Sequence, residues 1–213
     1  MYFDQYIVNQ SPADLDYGQF VVAQESRYSS LMPWHIDQVK NIILKETKNV
    51  TINTILDCNA HIGVDTILFR LLFPSSDMTA IELNPQTYSL LVQNCQNRNN
   101  IVGHEVKDIK VLNDDCLNHV HQDVDLIYFD PPWGQQYTQY DKINLYLSGV
   151  NVGDVINQVL RHHASLVVLK LPYNIDLTTL WTKITYQLPF LTNHLYRILT
   201  PSGKISYLLM FIK

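Results

Sequence analysis

The segment Asp125-Leu-Ile-Tyr-Phe-Asp130-Pro-Pro-Trp133-Gly134 places an acid, two consecutive prolines and an indole side by side. The carboxylate of Asp130 and the carbonyl of Pro131 can accept N–H bonds from an amino group, and the ring of Trp133 can stack on a flat partner. That combination suits a planar, amine-bearing ring held in a stiff site. The plainer alternative is a strand closed by a rigid turn, with Trp133 as a core plug. Three further acids, Asp57, Glu82 and Asp115, each follow a short apolar run. An acid after a second strand suits a ribose diol, since one carboxylate accepts from both hydroxyls. That acid is Glu82. Asp115 suits an exocyclic adenine amine. Asp57, with the turn through Gly63, suits the amino acid portion of a nucleoside cofactor, where Gly63 allows close backbone approach and the following helix start offers a positive end.

These side chains need elements to hold them. Leu126 to Phe129 is a continuous apolar run, the pattern of a buried parallel strand. Pro131 and Pro132 cannot join a ladder, so the strand ends there. Asp130 and Trp133 then lie just past its carboxyl end, the edge where open α/β sheets bind ligands. Thr54–Asp57, 78–82 and Ile109–Leu112 read as three earlier strands. Helices are expected over 33–48 (opened by Pro33, with Ser30 as a cap), 65–73 and 86–97. Residues 135–148 read as a loop over the site. Val152–His162 is a helix, 166–171 a strand and 177–187 a helix. Strands over 195–199 and 205–212 close the chain as a hairpin through Pro201-Ser202-Gly203. Alternating strands and helices followed by a hairpin predict an α/β fold. It is a doubly wound, mostly parallel seven-stranded sheet with an antiparallel carboxyl-terminal hairpin, Rossmann-like, of the class I methyltransferase kind. Residues 1–32 are expected to form an amino-terminal extension packing over the site, and 33–213 the main domain.

Four acids at one sheet edge favour S-adenosylmethionine as cofactor. The loop after Asp57 is not G-x-G-x-x-G and carries no phosphate-binding lysine, which argues against nicotinamide and nucleoside triphosphates.

Composition narrows the class. The chain has 213 residues, with 46% hydrophobic and 16% charged residues and a formal net charge of −5. That is a globular protein without the large basic face that long duplex nucleic acid requires. Three cysteines without a CxxC, and eight scattered histidines, offer no disulfide framework and no metal site. No leader and no membrane span is read, so an intracellular protein is expected, nuclear or cytoplasmic.

Several short motifs resemble the trimethylguanosine synthase family of cap guanine-N2 methyltransferases. Arg27-Tyr-Ser-Ser30-Leu-Met-Pro33 is similar to the segment before its first core helix. Asp57-Cys-Asn-Ala-His-Ile-Gly63-Val-Asp65-Thr66 resembles its cofactor loop, and Ala80-Ile-Glu82-Leu-Asn-Pro85 its second-strand motif. Asp130-Pro-Pro-Trp133-Gly134 with Tyr137 resembles its Ser-Pro-Pro-Trp-Gly-Gly-Pro-x-Tyr signature, and Leu169-Lys-Leu-Pro-Tyr-Asn174 the strand and turn that follow. The resemblance implies methylation of the exocyclic N2 amine of a 7-methylguanosine cap, with capped RNA or a 7-methylguanosine nucleotide as partner. It implies cofactor contacts from Asp57, Asn59, Gly63, Asp65, Thr66, Glu82, Leu83, Asp115, Cys116 and Asp130. It implies cap contacts from Tyr28, Ser30, Pro33, Trp133 and Asn174; catalysis is read from the residues themselves, by Asp130, Pro131 and Trp133, with Asp130 also able to accept the departing proton. Arg27, Lys142 or Lys170 would neutralise the cap phosphates. The chain departs from the pattern at His61 and Gln135, where the family has glycine, at Met32 for threonine, and at Asp130 for serine. An acid at position 130 is shared instead with adenine-N6 and other exocyclic-amine methyltransferases of DNA or RNA. His61 is the one hint of an inactive partner subunit, and the acidic balance permits a small-molecule amine acceptor.

Overall fold

A computed structural model describes residues 17–22, 32–97, 107–162 and 164–213. The fold is the expected mostly parallel seven-stranded sheet ending in an antiparallel hairpin, with helices alongside. The chain divides into two compact units, Met1–Asp114 and Asp115–Lys213.

The first unit holds α1 (Ile36–Thr47), β1 (Thr54–Asp57), α2 (Val64–Leu72), β2 (Asp77–Ile81), α3 (Pro85–Gln96) and β3 (Ile109–Leu112). Pro33 opens a 3-10 turn, Pro33–His35, that leads into α1. Ile36, Val39 and Ile43 recur at helical spacing and form the buried face of α1. β1 and β2 pair in parallel, as do β2 and β3, with Asp57 opposite Ala80 and Ile81 opposite Leu112. The carboxyl ends of all three strands therefore fall at one edge of this unit. Asn84 caps α3 by accepting from the amides of Gln86 and Thr87, and Pro85 fills the first helical position. Arg70 is fully buried on α2. Its guanidinium donates to the carbonyls of Phe73, Pro74, Ser76 and Asp108, stitching the end of α2 to the approach to β3.

The second unit holds β4 (Val124–Phe129), a two-residue pair β5 (Tyr146–Leu147) and β6 (Val150–Asn151), α4 (Val152–His162), β7 (Ala164–Pro172), α5 (Leu177–Ile184), β8 (Asn193–Leu199) and β9 (Ile205–Ile212). β4 runs parallel to β7, while β9 is antiparallel to both β7 and β8. Leu126 to Phe129 are all buried, which explains their unbroken apolar run.

Two expectations change here. Residues 135–148 are not all loop: Tyr146–Leu147 begins a small hairpin closed by Ser148 and Gly149, both with positive φ. The helix expected to reach 187 stops at Ile184. Asn157 on α4 donates to the carbonyls of Ile184 and Tyr186, and Gln187 turns left-handed at φ 62°. The carbonyls of Ile184, the helix's last residue, and of Tyr186 just past it are thus satisfied by a neighbouring side chain instead of another turn.

Candidate active site

In the first unit the loop after β1 is built around two carboxylates. Asp57 is buried, with Oδ2 accepting from the Thr66 hydroxyl at 2.6 Å and Oδ1 from the Asn59 amide at 3.3 Å. It ties the loop to the start of α2. Glu82 stands immediately past β2. Its Oε2 accepts from the His61 amide at 3.0 Å and its Oε1 from the Asn84 amide at 2.8 Å. Burial pushes the Glu82 carboxyl above its ordinary value, and the Asn84 and His61 amides pull the other way. The Ala60 amide donates to the Ile81 carbonyl, and Asn94 donates to the carbonyl of Ile62. The loop is therefore pinned at four of its residues.

His61 occupies φ 51° and Gly63 φ 92°. His61 thus bears a left-handed conformation that a glycine, the residue the resembled family has at this place, would adopt without strain. At Gly63 an added Cβ would lie 2.8 Å from Leu91 Cδ1. The backbone of the next residue pair past β2 is also held. Asn113 donates to the carbonyls of Glu82 and Leu83, at 2.8 and 3.0 Å, and leaves the Leu83 side chain 61% exposed.

A nucleoside sulfonium fits this set. Gly63 caps α2 with no side-chain acceptor, so the first-turn amides are open to a ligand carboxylate. The Asn59 Oδ1 is buried without a partner and suits an ammonium. A carboxylate oxygen has more than one lone pair, so Glu82 can accept diol hydroxyls beside its two amides. Leu83 offers an exposed apolar face to a flat base. Asp65 is half-buried in the first turn of α2.

In the second unit Asp115 opens a 3-10 turn at Cys116. Its Oδ1 accepts from the Leu117 amide at 3.0 Å, and its Oδ2 accepts the hydroxyl of Ser148 from the hairpin tip. Cys116 is buried.

Asp130 follows β4, and the parallel register explains its neighbour. Phe129 pairs with Leu169, so Asp130 comes alongside Lys170 of β7. Lys170 Nζ lies 2.8 Å from Asp130 Oδ2, with the side chains 4% and 14% exposed. The ammonium also sits 5.4 Å over the ring of Tyr207 on β9. A lysine this deeply buried costs several kcal/mol unless paired. An aliphatic residue would match the apolar run of Leu166–Leu171. Lys170 is accordingly an ion-pair partner of Asp130, not the phosphate neutraliser expected from its position. The lone charge in an aliphatic strand was the available signal. Lys142 lies 3.9 Å from Asp176.

Pro131 is buried, and Trp133 is half-buried with its indole N–H buried and without an acceptor. Tyr137 meets Trp133 edge-on, with ring centroids 5.2 Å apart, and Tyr173 meets Tyr137 at 6.1 Å. Burial raises the Tyr137 hydroxyl above its ordinary value, with the nearby Tyr173 adding to it. Asn174 is buried and donates to the carbonyls of Tyr137 and Tyr140, both at 2.8 Å, while its Oδ1 has no partner. Its amide thus fixes the loop that carries Tyr137. Tyr173 and Ser148 are site neighbours that spacing did not single out. Tyr28, Ser30 and Arg27 fall outside the described residues, and Pro33 serves as the first residue of the turn before α1. Among the described residues no group of three or more His, Cys, Asp or Glu is placed to hold a metal, and no helix is long and apolar enough to cross a membrane.

An uncharacterized protein of Acanthamoeba polyphaga mimivirus is 28% identical over 150 residues, covering 68% of this chain and 56% of its own length. The chain thus spans little more than half of that relative. Among solved structures, precorrin-6y C5,15-methyltransferase from Geobacter metallireducens GS-15 superposes with a TM-score of 0.59 at 14% identity, covering 96% of this chain and 98% of that one. The plantazolicin methyltransferase BpumL, in complex with a triazolic desmethylPZN analog and SAH, gives 0.57 at 12% identity over 85% of each chain. At these identities the likeness concerns the fold, which is that of class I S-adenosylmethionine-dependent methyltransferases. The family model described as RNA cap guanine-N2 methyltransferase matches residues 29–213, and the chain belongs to that family.

Proposed function

We propose that the chain methylates the exocyclic N2 amine of a 7-methylguanosine cap, on capped RNA or a cap nucleotide, with S-adenosylmethionine as donor. The observation that carries this reading is the half-buried Trp133, braced edge-on by Tyr137, directly after the rigid Asp130-Pro131-Pro132 turn. The family match over residues 29–213 supports it.

S-adenosylmethionine, when bound, supplies a methyl group already activated by its sulfonium. The residues we assign to holding it are Asp57, Asn59, Gly63, Asp65, Thr66, Glu82 and Leu83 in the first unit; Asp115 and Cys116 of the second are carried over from the family resemblance. Asp57 and Thr66 act by shaping the loop, and Glu82 accepts the ribose hydroxyls. The remaining task is to align a weak nucleophile, since the lone pair of a guanine amine is delocalised into its ring. Alignment of this kind is worth several orders of magnitude in rate. Trp133 stacks on the cap base. A 7-methylguanine ring is cationic, and an indole face attracts it by about 1–2 kcal/mol. The Pro131 carbonyl and Asp130 accept the N–H bonds of the amine, holding its lone pair in line and easing the positive charge that develops on nitrogen.

A second reading is favoured by Asp130 itself, which stands where the family carries serine. An acid there suits the N6 amine of adenine in DNA or RNA. Calorimetric titration with cap analogues, with and without the N7 methyl, separates the two. The cap reading expects tighter binding of the methylated analogue, a preference abolished in Trp133→Leu and partly kept in Trp133→Phe. It also expects little salt dependence, because stacking releases no counterions. Equal affinity for both analogues, or salt-sensitive binding of adenine oligonucleotides, overturns it.

A further inference from the structure

We propose that Lys170 is a positioning residue that acts through Asp130, so that the acceptor side of this site is an acid–ammonium pair and not a lone acid. The inference rests on the amine-transfer reading above and names a residue that reading does not use.

The geometry of the pair is fixed from both ends. Asp130 lies between the last residue of β4 and two prolines, so its backbone has little freedom. Lys170 lies inside β7, a strand paired on one side with β4 and on the other with β9, where Lys170 faces Leu209. Its ammonium is 2.8 Å from Asp130 Oδ2 and 5.4 Å over the Tyr207 ring. The strand pairing and these two contacts fix the ammonium in place. Through it the Asp130 carboxylate is held in one orientation. A buried carboxylate without this partner would turn to find another donor or take up a proton.

Two consequences bear on the reaction. The amine nitrogen gains a methyl group and sheds one proton, and positive charge grows on it as the bond forms. A carboxylate held in place stabilises that charge without reorganising. The Lys170 ammonium occupies Asp130 Oδ2, and the proton shed by the amine passes to solvent. Asp130 is then an oriented acceptor whose orientation Lys170 supplies.

The test is a double-mutant cycle in methyl transfer to a 7-methylguanosine cap dinucleotide, with thermal midpoints measured on every variant. Lys170→Met is expected to lower kcat at least tenfold, about 1.4 kcal/mol, with KM for the cap changed less than threefold. Asp130→Ser is expected to do the same. The double variant, which removes both buried charges, should regain the thermal midpoint yet show kcat no lower than Asp130→Ser alone. Multiplying losses in the double variant, or a kcat within twofold of wild type in Lys170→Met, overturns the proposal. So does a double variant with wild-type kcat, or one that fails to fold, since each makes the pair structural only. If Lys170→Met does not fold, Lys170→Gln replaces it, whose shorter amide does not reach Asp130 at the same distance. The same kcat criteria apply. A wild-type chain inactive on caps but active on adenine oligonucleotides defeats the cap reading alone, and the cycle is then run on that acceptor. A chain inactive on both overturns both.

Discussion

Replacing Glu82 with alanine tests the cofactor assignment through a single side chain. Its two carboxylate oxygens hold the His61 amide at 3.0 Å and the Asn84 amide at 2.8 Å. Asn84 is exposed, so water can replace that bond, and His61 is half-buried. Burial also raises the Glu82 carboxyl above its ordinary value of 4.5. An acid shifted this way contributes stability that is complete below its unfolded value and is lost as pH rises through the higher folded value. At neutral pH the free protein therefore carries some of Glu82's cost, and Glu82→Ala removes that along with two bonds. The change in folding stability should stay within about 1 kcal/mol, a thermal shift of a few degrees at this size. Binding is a different matter. Two diol hydroxyls lose a charged acceptor, which costs about 1–3 kcal/mol, or about 5- to 150-fold in Kd. Calorimetric titration with S-adenosylhomocysteine, which cannot turn over, reads this directly. The affinity of the wild type should also fall on acidification, beginning above the usual glutamate range, because the protonated acid accepts less well. Glu82→Gln should abolish that pH dependence. Unchanged affinity in Glu82→Ala, with the fold intact, would refute the reasoning.

Gly63→Ala forces an L side chain into φ 92° and sets a Cβ 2.8 Å from Leu91 Cδ1. It should destabilise the fold by about 1–3 kcal/mol and weaken cofactor binding, as a melt and a titration would show; a wild-type melt would mean the loop relaxes freely. Arg70→Met leaves four carbonyls without their donor. Denaturant unfolding should show a loss of about 3 kcal/mol or more, and a loss below about 1 kcal/mol would mean that water reaches those carbonyls.

The sheet was readable because its strands announce their own ends. Pro131 and Pro132 stop β4 at Phe129, Thr54–Asp57 matches β1 residue for residue, and Asn84-Pro85 marks the start of α3. That Asp57 closes one strand while Glu82 and Asp130 fall at the ends of two others followed from that alone. What could not be read depends on contacts between distant residues. The Asp130–Lys170 pair needs the register that sets Phe129 opposite Leu169, which no local pattern encodes. The early stop of α5 depends on an asparagine on another helix. The hairpin at 146–151 escaped because two-residue strands have no periodicity, although Ser148-Gly149 is itself a turn signal. The two bonds from the Asn174 amide to backbone carbonyls of the Tyr137 loop likewise join residues more than thirty positions apart.

The most direct test of the central claim is methyl transfer from labelled S-adenosylmethionine to three acceptors in parallel. These are a 7-methylguanosine cap dinucleotide, its unmethylated counterpart and an adenine oligonucleotide, with the modified base identified by mass spectrometry after nuclease digestion. The account predicts a new methyl group on N2 of the 7-methylguanine, with the unmethylated cap a much poorer acceptor. A methyl group on adenine N6, or no transfer to the cap while cofactor binding is intact, would contradict it.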